Sequence, residues 1–344
     1  MSPPSRPVPI FERPGPSLLG GTPRDLLRNL GGPALLRVPG RDRSRARGLS
    51  TLLHGNEPSG IRALHGWLSN GAVPEVDLVI FLGAVEAALA GDGFAHRMLP
   101  GCRDLNRCFQ PPFEGEEGAV AAEALQLLRE AGCDALVDLH NNTGHNPAYG
   151  VVTVLDAARL NLTALWARRV VHSGLRLATL VEATAGDFPG VALECGRAGD
   201  PAADRVARDG LERYAGLAEI ERRRVLEPGL EVLEQPIRVC VRPGVRLAFG
   251  ERAAECADLT LRGDIDRHNF EWLAPGVPVG FVAPGAPWPL SAFGDDGEDV
   301  SRELFTLRNG LLEIRRAGVP IMMTTDLAVA KSDCLFYFAR PRTL

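Results

Sequence analysis

A histidine and a glutamate three positions apart, at the point where an apolar run ends, form a pair that can hold a metal ion. In "STLLHGNEPSGIRALHGWL", residues 50–68, His54 and Glu57 stand in that relation. A catalytic zinc ion takes three protein ligands from His and Asp/Glu and leaves its fourth position to water. A straight strand would send residues three apart to opposite faces, whereas a strand-to-helix turn lets them converge. The plain alternative is a polar strand end, with Glu57 favouring the positive end of the following helix. The spacing alone does not decide between the two.

A third ligand is on offer at His140, which ends "DALVDLH" just as that apolar run passes into the polar "NNTGHN". Asp138 lies two residues earlier and shares a strand face with His140. Its carboxylate can accept the second N–H of a ligand histidine, His140 or His54, and so fix the tautomer. Glu194, inside the apolar "GVALECG", is costly to bury ionised, and general-base work beside a metal would justify the placement. The alternative is an ion pair with a neighbour such as Arg197. Arg97, Arg103 and Arg107 cluster in "HRMLPGCRDLNRCF"; arginine forks grip carboxylates, and Asn106 adds a neutral hydrogen-bonding partner. Otherwise these are solvated loop arginines.

Other chemistry-bearing residues read as structural. His145 suits a loop, Asp264, Asp266 and His268 in "GDIDRHN" a solvated turn, and His65 packing or surface. Cys195 reads as a small core residue facing away from Glu194. Seven scattered cysteines without CxxC spacing give neither a disulfide framework nor a thiolate zinc site. Lys331 is the sole lysine, so Schiff-base chemistry has a single candidate, without catalytic company.

The elements that must position these residues alternate. "ALLRVPGRDRSRARGLSTLLHG" reads as two strands and "EPSGIRALHGWLSNG" as a helix opened near Pro58 and closed by Asn70-Gly71. "VDLVIFLG" is a strand covered on both faces. "EEGAVAAEALQLLREAG" is a helix, "DALVDLH" and "YGVVTVL" are strands, and "DAARLNLTALWARRVVHSG" is a helix. "GVALECG" is a strand and "DPAADRVARDGLERYAGLAEIERRR" a long helix. The expected fold class is therefore α/β, with helices on both faces of a sheet and functional residues beyond strand ends. After about residue 225, short strand-like runs between Gly/Pro turns predict a smaller, mostly β domain. The expected division is an extended leader over 1–20, a catalytic domain over 21–225 and a β-rich domain over 226–344.

A net charge of −5 with no long basic run argues against a nucleic-acid partner. No apolar run reaches membrane-spanning length, and the proline-rich N-terminus lacks the apolar core of a signal peptide. A soluble, cytoplasmic protein is expected, and homo-oligomerisation is left open by the sequence.

In order and spacing, "HGNEPSG", "RDLNRCF", "VDLHNNTGHNP" and "ALECG" resemble the succinylglutamate desuccinylase/aspartoacylase family of zinc hydrolases, relatives of the zinc carboxypeptidases. "LRGDIDRHNFEWLAPGVPVGFV" is similar to that family's C-terminal domain, so the resemblance covers most of the chain. It implies a carboxypeptidase-like mixed sheet and one zinc ion per subunit, held by His54, Glu57 and His140. It also implies Glu194 as general base, Asn106 and Arg107 on a substrate carboxylate, and Arg97, with Arg103 as the alternative, polarising the scissile carbonyl. The expected reaction is hydrolysis of the amide of a small carboxylated N-acyl amino acid. A peptide-cleaving carboxypeptidase and a non-catalytic zinc protein are the alternatives. Two departures stand out: a short insertion between Arg97 and "DLNR", and "PIMMTTDLAVAK" where aspartoacylase carries a substrate-binding tyrosine. N-acetylaspartate specificity therefore does not carry over.

Overall fold

A computed structural model describes residues 7–294, 296–332 and 334–342. The chain divides into two units, the first holding the described residues up to Asn141 with Ala148–Val170 and Arg176–Leu230. The second holds Asn142–Pro147, Val171–Leu175 and everything described from Glu231 onward.

The first unit begins with β1 (Ile10–Glu12), the short α1 (Pro16–Leu19) and α2 (Pro23–Leu30). The extended leader expected over 1–20 is corrected from residue 7 on, because β1 pairs in parallel with β2 (Ala34–Val38) and Pro16 opens a helical turn. Proline suits that position, where its missing N–H would have no partner in any case; residues 1–6 lie outside the described residues. Thr22 caps α2 by accepting the Asp25 N–H at 3.2 Å, and Gly31, at φ 72°, ends it.

Next come β3 (Asp42–Thr51), α3 (Ser59–Ser69), β4 (Val76–Leu82), α4 (Val85–Leu89), α5 (Gly115–Glu130) and β5 (Cys133–Asn142). The unit continues with β6 (Tyr149–Val152), α6 (Ala157–Ala164), β7 (Arg169–His172), α7 (Leu180–Ala183), β8 (Gly190–Arg197) and α8 (Pro201–Ala215), β7 passing into the second unit at Val171. Its sheet runs β1-β2-β4-β3-β5-β8-β6. It is mixed: β3 runs parallel to β4 and β5, β2 antiparallel to β4, and β6 antiparallel to β8.

Helices flank this sheet, as an α/β pattern requires. α5 turns Val120, Ala121, Ala124, Leu125 and Leu128 into a core shared with Val79, Phe81 and Leu136. α3 packs against α8, and α8 against β8.

Two helices are shorter than their sequence patterns predict. The helix expected from 156 to 174 stops at Ala164, and Arg169–His172 is strand β7. Val170 and Val171 are buried there, and β-branched pairs favour the pleated backbone. The long helix from 201 ends at Ala215 with Gly216 as its C-cap, and no described residue from 216 to 230 is in a helix or strand. "LAEIERRR" supplies too few apolar residues to carry the buried face further.

The second unit is mostly β, with β9 (Glu231–Val241), β10 (Leu247–Phe249), β11 (Leu259–Leu261), β12 (Pro278–Val282) and β13 (Leu290–Phe293). α9 (Ser301–Leu304), β14 (Phe305–Arg308), β15 (Leu311–Ile314), β16 (Val319–Ile321), α10 (Leu327–Ser332) and β17 (Phe336–Pro341) complete it. β13 and β17 pair with β9, and β16 with β17; a separate sheet runs β10-β11-β12-β15-β14. Phe305, Phe336 and Phe338 meet at ring separations of 6.1–6.4 Å within its core.

Candidate metal centre

β3 ends at Thr51, Leu52 takes a left-handed φ of 57°, and the chain turns through residues 53–58 into α3. That turn lets His54 and Glu57 face each other, with His54 Nδ1 2.8 Å from Glu57 Oε1 and the Glu57 N–H donating to the His54 carbonyl at 3.3 Å. Gly55 permits it: a Cβ there would stand 2.5–2.6 Å from the backbone of Ala87 and Ala88. β5, the parallel neighbour of β3, delivers His140, whose Nδ1 lies 2.7 Å from Glu57 Oε2. One ligand atom from each of His54, Glu57 and His140 lies within 4.8 Å of the others, and all three residues are buried. It is the only such group of three among the described residues.

The outer imidazole nitrogens are also occupied. His140 Nε2 is 2.8 Å from Asp138 Oδ2, and His54 Nε2 is 3.0 Å from Asp104 Oδ1. If each carboxylate accepts an Nε2–H, both Nδ1 lone pairs point at the Glu57 carboxylate. Three electron-rich groups facing inward repel unless protons or a cation sit among them. Burial and Arg97 press the His54 pKa down, yet Glu57 and Asp104 carry it above the ordinary histidine value. Burial opposes His140 too, but Asp138 and Glu57 raise it well above that value. Burial would raise Glu57, and the two imidazoles instead hold it far below the usual carboxylate range. The residues fit a divalent cation: two imidazoles and a carboxylate, each imidazole backed by a second carboxylate, make a donor set that zinc favours.

Glu194 lies on β8 with its side chain buried, directly opposite Tyr149 in the β6–β8 register. Burial lifts its pKa to about 7; Glu57 adds to the rise, while His140, His54 and Arg97 oppose it. Its charge is thus felt by the whole cluster. Cys195 beside it is buried, which pushes the thiol pKa up and leaves it a poor nucleophile.

Of the clustered arginines, Arg97 stands at the centre. Its Nε and Nη2 donate to Asp104 Oδ2 at 3.1 and 2.8 Å, and Nη1 is 3.8 Å from Glu57 Oε1. Arg103 is exposed and donates instead to the Glu114 carbonyl at 2.7 Å. Asn106 and Arg107 sit in a single 3-10 turn, Leu105–Arg107. The Asn106 carboxamide is buried, its Oδ1 accepting the Leu180 N–H at 3.1 Å and its Nδ2 3.5 Å from His140 Nε2. Arg107 is half-buried and donates through Nη1 to the Asn106 carbonyl at 2.9 Å.

Asp104 is the residue that the sequence reading passed over. It joins His54, Arg97 and, through the Asn106 N–H at 2.9 Å, the turn that carries Asn106 and Arg107. Against the cost of burial, His54 and Arg97 drive its pKa far below the usual range. The clue was a lone aspartate preceding "LNR", since aspartates cap such turns. In the second unit, "GDIDRHN" does not form a metal triad. Asp264 pairs with Arg262, His268 Nδ1 lies 3.0 Å from Glu271, and Asp266 is buried, accepting the His145 N–H at 3.1 Å. Asp266 was expected in a solvated turn; burial corrects that. His145 is exposed and His65 buried on α3.

Fold and site together define a mixed-sheet α/β domain with a buried His–Glu–His group where its central strands give out. Residues 49–186 match the family model of the succinylglutamate desuccinylase/aspartoacylase catalytic domain. No curated protein matches the sequence. Among solved structures, the succinylglutamate desuccinylase from Chromobacterium violaceum is similar at 17% identity and a TM-score of 0.57, over 90% of this chain and 89% of that one. The ectoine utilization protein EutE (DoeB) from Ruegeria pomeroyi is similar at 17% and 0.56, over 90% and 88%. Murine aminoacylase 3 is similar at 20% and 0.51, over 88% and 97%. At such identities these likenesses speak for the fold. Among the described residues no helix is long and apolar enough to cross a membrane.

Proposed function

We propose that this chain is a zinc-dependent deacylase hydrolysing the amide bond of a small carboxylated N-acyl amino acid. One observation carries the reading: His54, Glu57 and His140 converge, and the outer nitrogen of each imidazole is taken by a carboxylate. The family match over 49–186 supports it. A zinc ion held by these three residues would supply an acidified water and a Lewis acid for the carbonyl.

The chain's own residues do the rest. Glu194, poised near neutrality by burial, takes the proton from the attacking water and passes it to the departing amine. Arg97, one edge of whose guanidinium Asp104 holds, stabilises negative charge growing on the carbonyl oxygen. Arg107, on the turn that Asp104 braces, grips the substrate carboxylate, with Asn106 beside it.

Metal analysis of the purified protein, paired with assays of N-acyl amino acids against blocked dipeptides, tests this reading. Stoichiometric zinc and cleavage of the acyl amino acids are expected, both lost on chelation and restored by zinc. Cleavage confined to dipeptides would instead mark a peptidase, and zinc without hydrolysis of either class a non-catalytic metal protein.

A further inference from the structure

Glu57 and His140 are far apart in sequence, yet their carboxylate and imidazole meet at 2.7 Å. Something must hold the two chain segments at that spacing whether or not an ion is bound. The residues immediately following them do so. Ser59, two residues after Glu57, donates its N–H to Asn141 Oδ1 at 3.0 Å; Asn141 Nδ2 returns a bond to Ser59 Oγ, also at 3.0 Å. Asn141 directly follows His140, so this reciprocal pair closes a ring between the two proposed ligand segments.

The same amide reaches a third segment. Asn141 Nδ2 donates its other hydrogen to the Gly196 carbonyl at 3.1 Å, two residues beyond Glu194. Each hydrogen-bonding atom of the side chain is engaged, and the Asn141 backbone N–H donates to Glu57 Oε2 at 3.2 Å. The residue is buried. Helix α3 also needs it. Its N-cap is Pro58, which offers no side-chain acceptor, so the Ser59 N–H would otherwise be one of the orphan donors of a helix start. Asn141 caps α3 from a neighbouring strand. Ser59 Oγ passes the linkage on to Asp204 Oδ1 of α8 at 2.6 Å, and Arg62 Nη1 completes it at Asp204 Oδ2, 2.9 Å.

We propose that Asn141 is a positioning residue for the metal site, its clasp with Ser59 setting the separation of Glu57 from His140 before any ion binds. The inference rests on the metal reading above. It concerns affinity, so the readout is zinc binding by the folded protein rather than turnover. Loss of an outer contact that orients metal ligands weakens binding roughly 10–100-fold.

The experiment measures zinc affinity by competition with a chromogenic chelator, alongside the thermal midpoint of each metal-free protein. Asn141→Ala is expected to weaken zinc at least tenfold. Asn141→Asp, which keeps the volume but loses both Nδ2 donors, is expected to do the same and serves if the alanine variant does not fold. Ser59→Ala removes both Oγ bonds, to Asn141 and to Asp204, but keeps the backbone N–H bond to Asn141 Oδ1, and should give an intermediate loss. Arg62→Ala, which leaves the clasp whole, should stay within threefold of wild type. Affinities within threefold of wild type for folded Asn141 variants, even with a lowered midpoint, would make Asn141 a stability residue only and overturn the proposal. A wild-type protein that takes no zinc would overturn the metal reading and the clasp together.

Discussion

Asp104 and Asp138 give the candidate site its chemical bias. Each binds the outer nitrogen of one imidazole, so each fixes which nitrogen faces Glu57. Asp104→Asn keeps an acceptor near His54 but removes the charge that also holds Arg97. We expect it to weaken zinc binding roughly 10–100-fold and to lower kcat further through the released arginine. Competition titration and steady-state kinetics would check the two effects separately. At Glu194 the sign of the pH dependence follows from burial. A carboxyl raised to about 7 is protonated below that value, and a general base works only when ionised. Activity should therefore climb with pH along an acid limb at or below about 7, since zinc's charge would pull the limb lower. Glu194→Gln should cut kcat by roughly 10²–10⁴-fold and leave zinc content unchanged. Unchanged turnover would remove Glu194 from the mechanism.

Among the elements, β3 carries the strongest internal demand. Arg47 is 0% exposed in mid-strand, its guanidinium paired with Asp134 at 3.0 Å and donating to the carbonyls of Tyr214 and Leu217. It thereby ties β3 and β5 to the end of α8. Arg47→Met strands those acceptors and should cost at most about 3–5 kcal/mol, because Asp134 keeps 19% exposure and can recruit water. Chemical denaturation would measure it. α8 contributes a second sensitive point: a Cβ at Gly210 would stand 2.0 Å from the Trp166 ring. Gly210→Ala should destabilise by about 1–3 kcal/mol despite its better helix propensity, a sign reversal that thermal melts would show. The same tryptophan marks where sequence periodicity misled. Leu162 and Trp166 follow an apolar spacing that Val170 extends in the sequence, although the helix has already ended at Ala164. Four-residue strands such as β7, β14 and β15 are too short for alternation to reveal. Longer runs such as β4 and α5 were plain.

For the molecule as a whole, metal content and pH should be linked. In the metal-free protein, His54 and His140 have raised pKa values. Groups raised on folding contribute stability that is complete below the unfolded histidine value, near 6.5, and is lost as pH rises through the folded values. Zinc needs both imidazoles without their inner protons, so its binding strengthens with pH. The gap in thermal midpoint between zinc-loaded and chelated protein should therefore widen from pH 6 to pH 8. A constant gap across that range would mean that the ion binds elsewhere. The stabilisation should reach about 2.7 kcal/mol when free zinc is a hundred times its Kd.

The order of motifs, the alternation of strands and helices, and the residue types of the cluster could all be read along the chain, because local periodicity and side-chain chemistry need no partner to be recognised. His54, Glu57 and His140 were visible for that reason, each standing where an apolar run turns polar. What only the folded chain decided was pairing. Asp104 binds His54 while Asp138 binds His140, Arg97 rather than Arg103 reaches the cluster, and Asn141 closes on Ser59. Such choices depend on the register between parallel strands and on the path of loops, which are set by packing across long stretches of chain. A one-dimensional pattern holds the ingredients of a site, and the distances between them exist only in three dimensions.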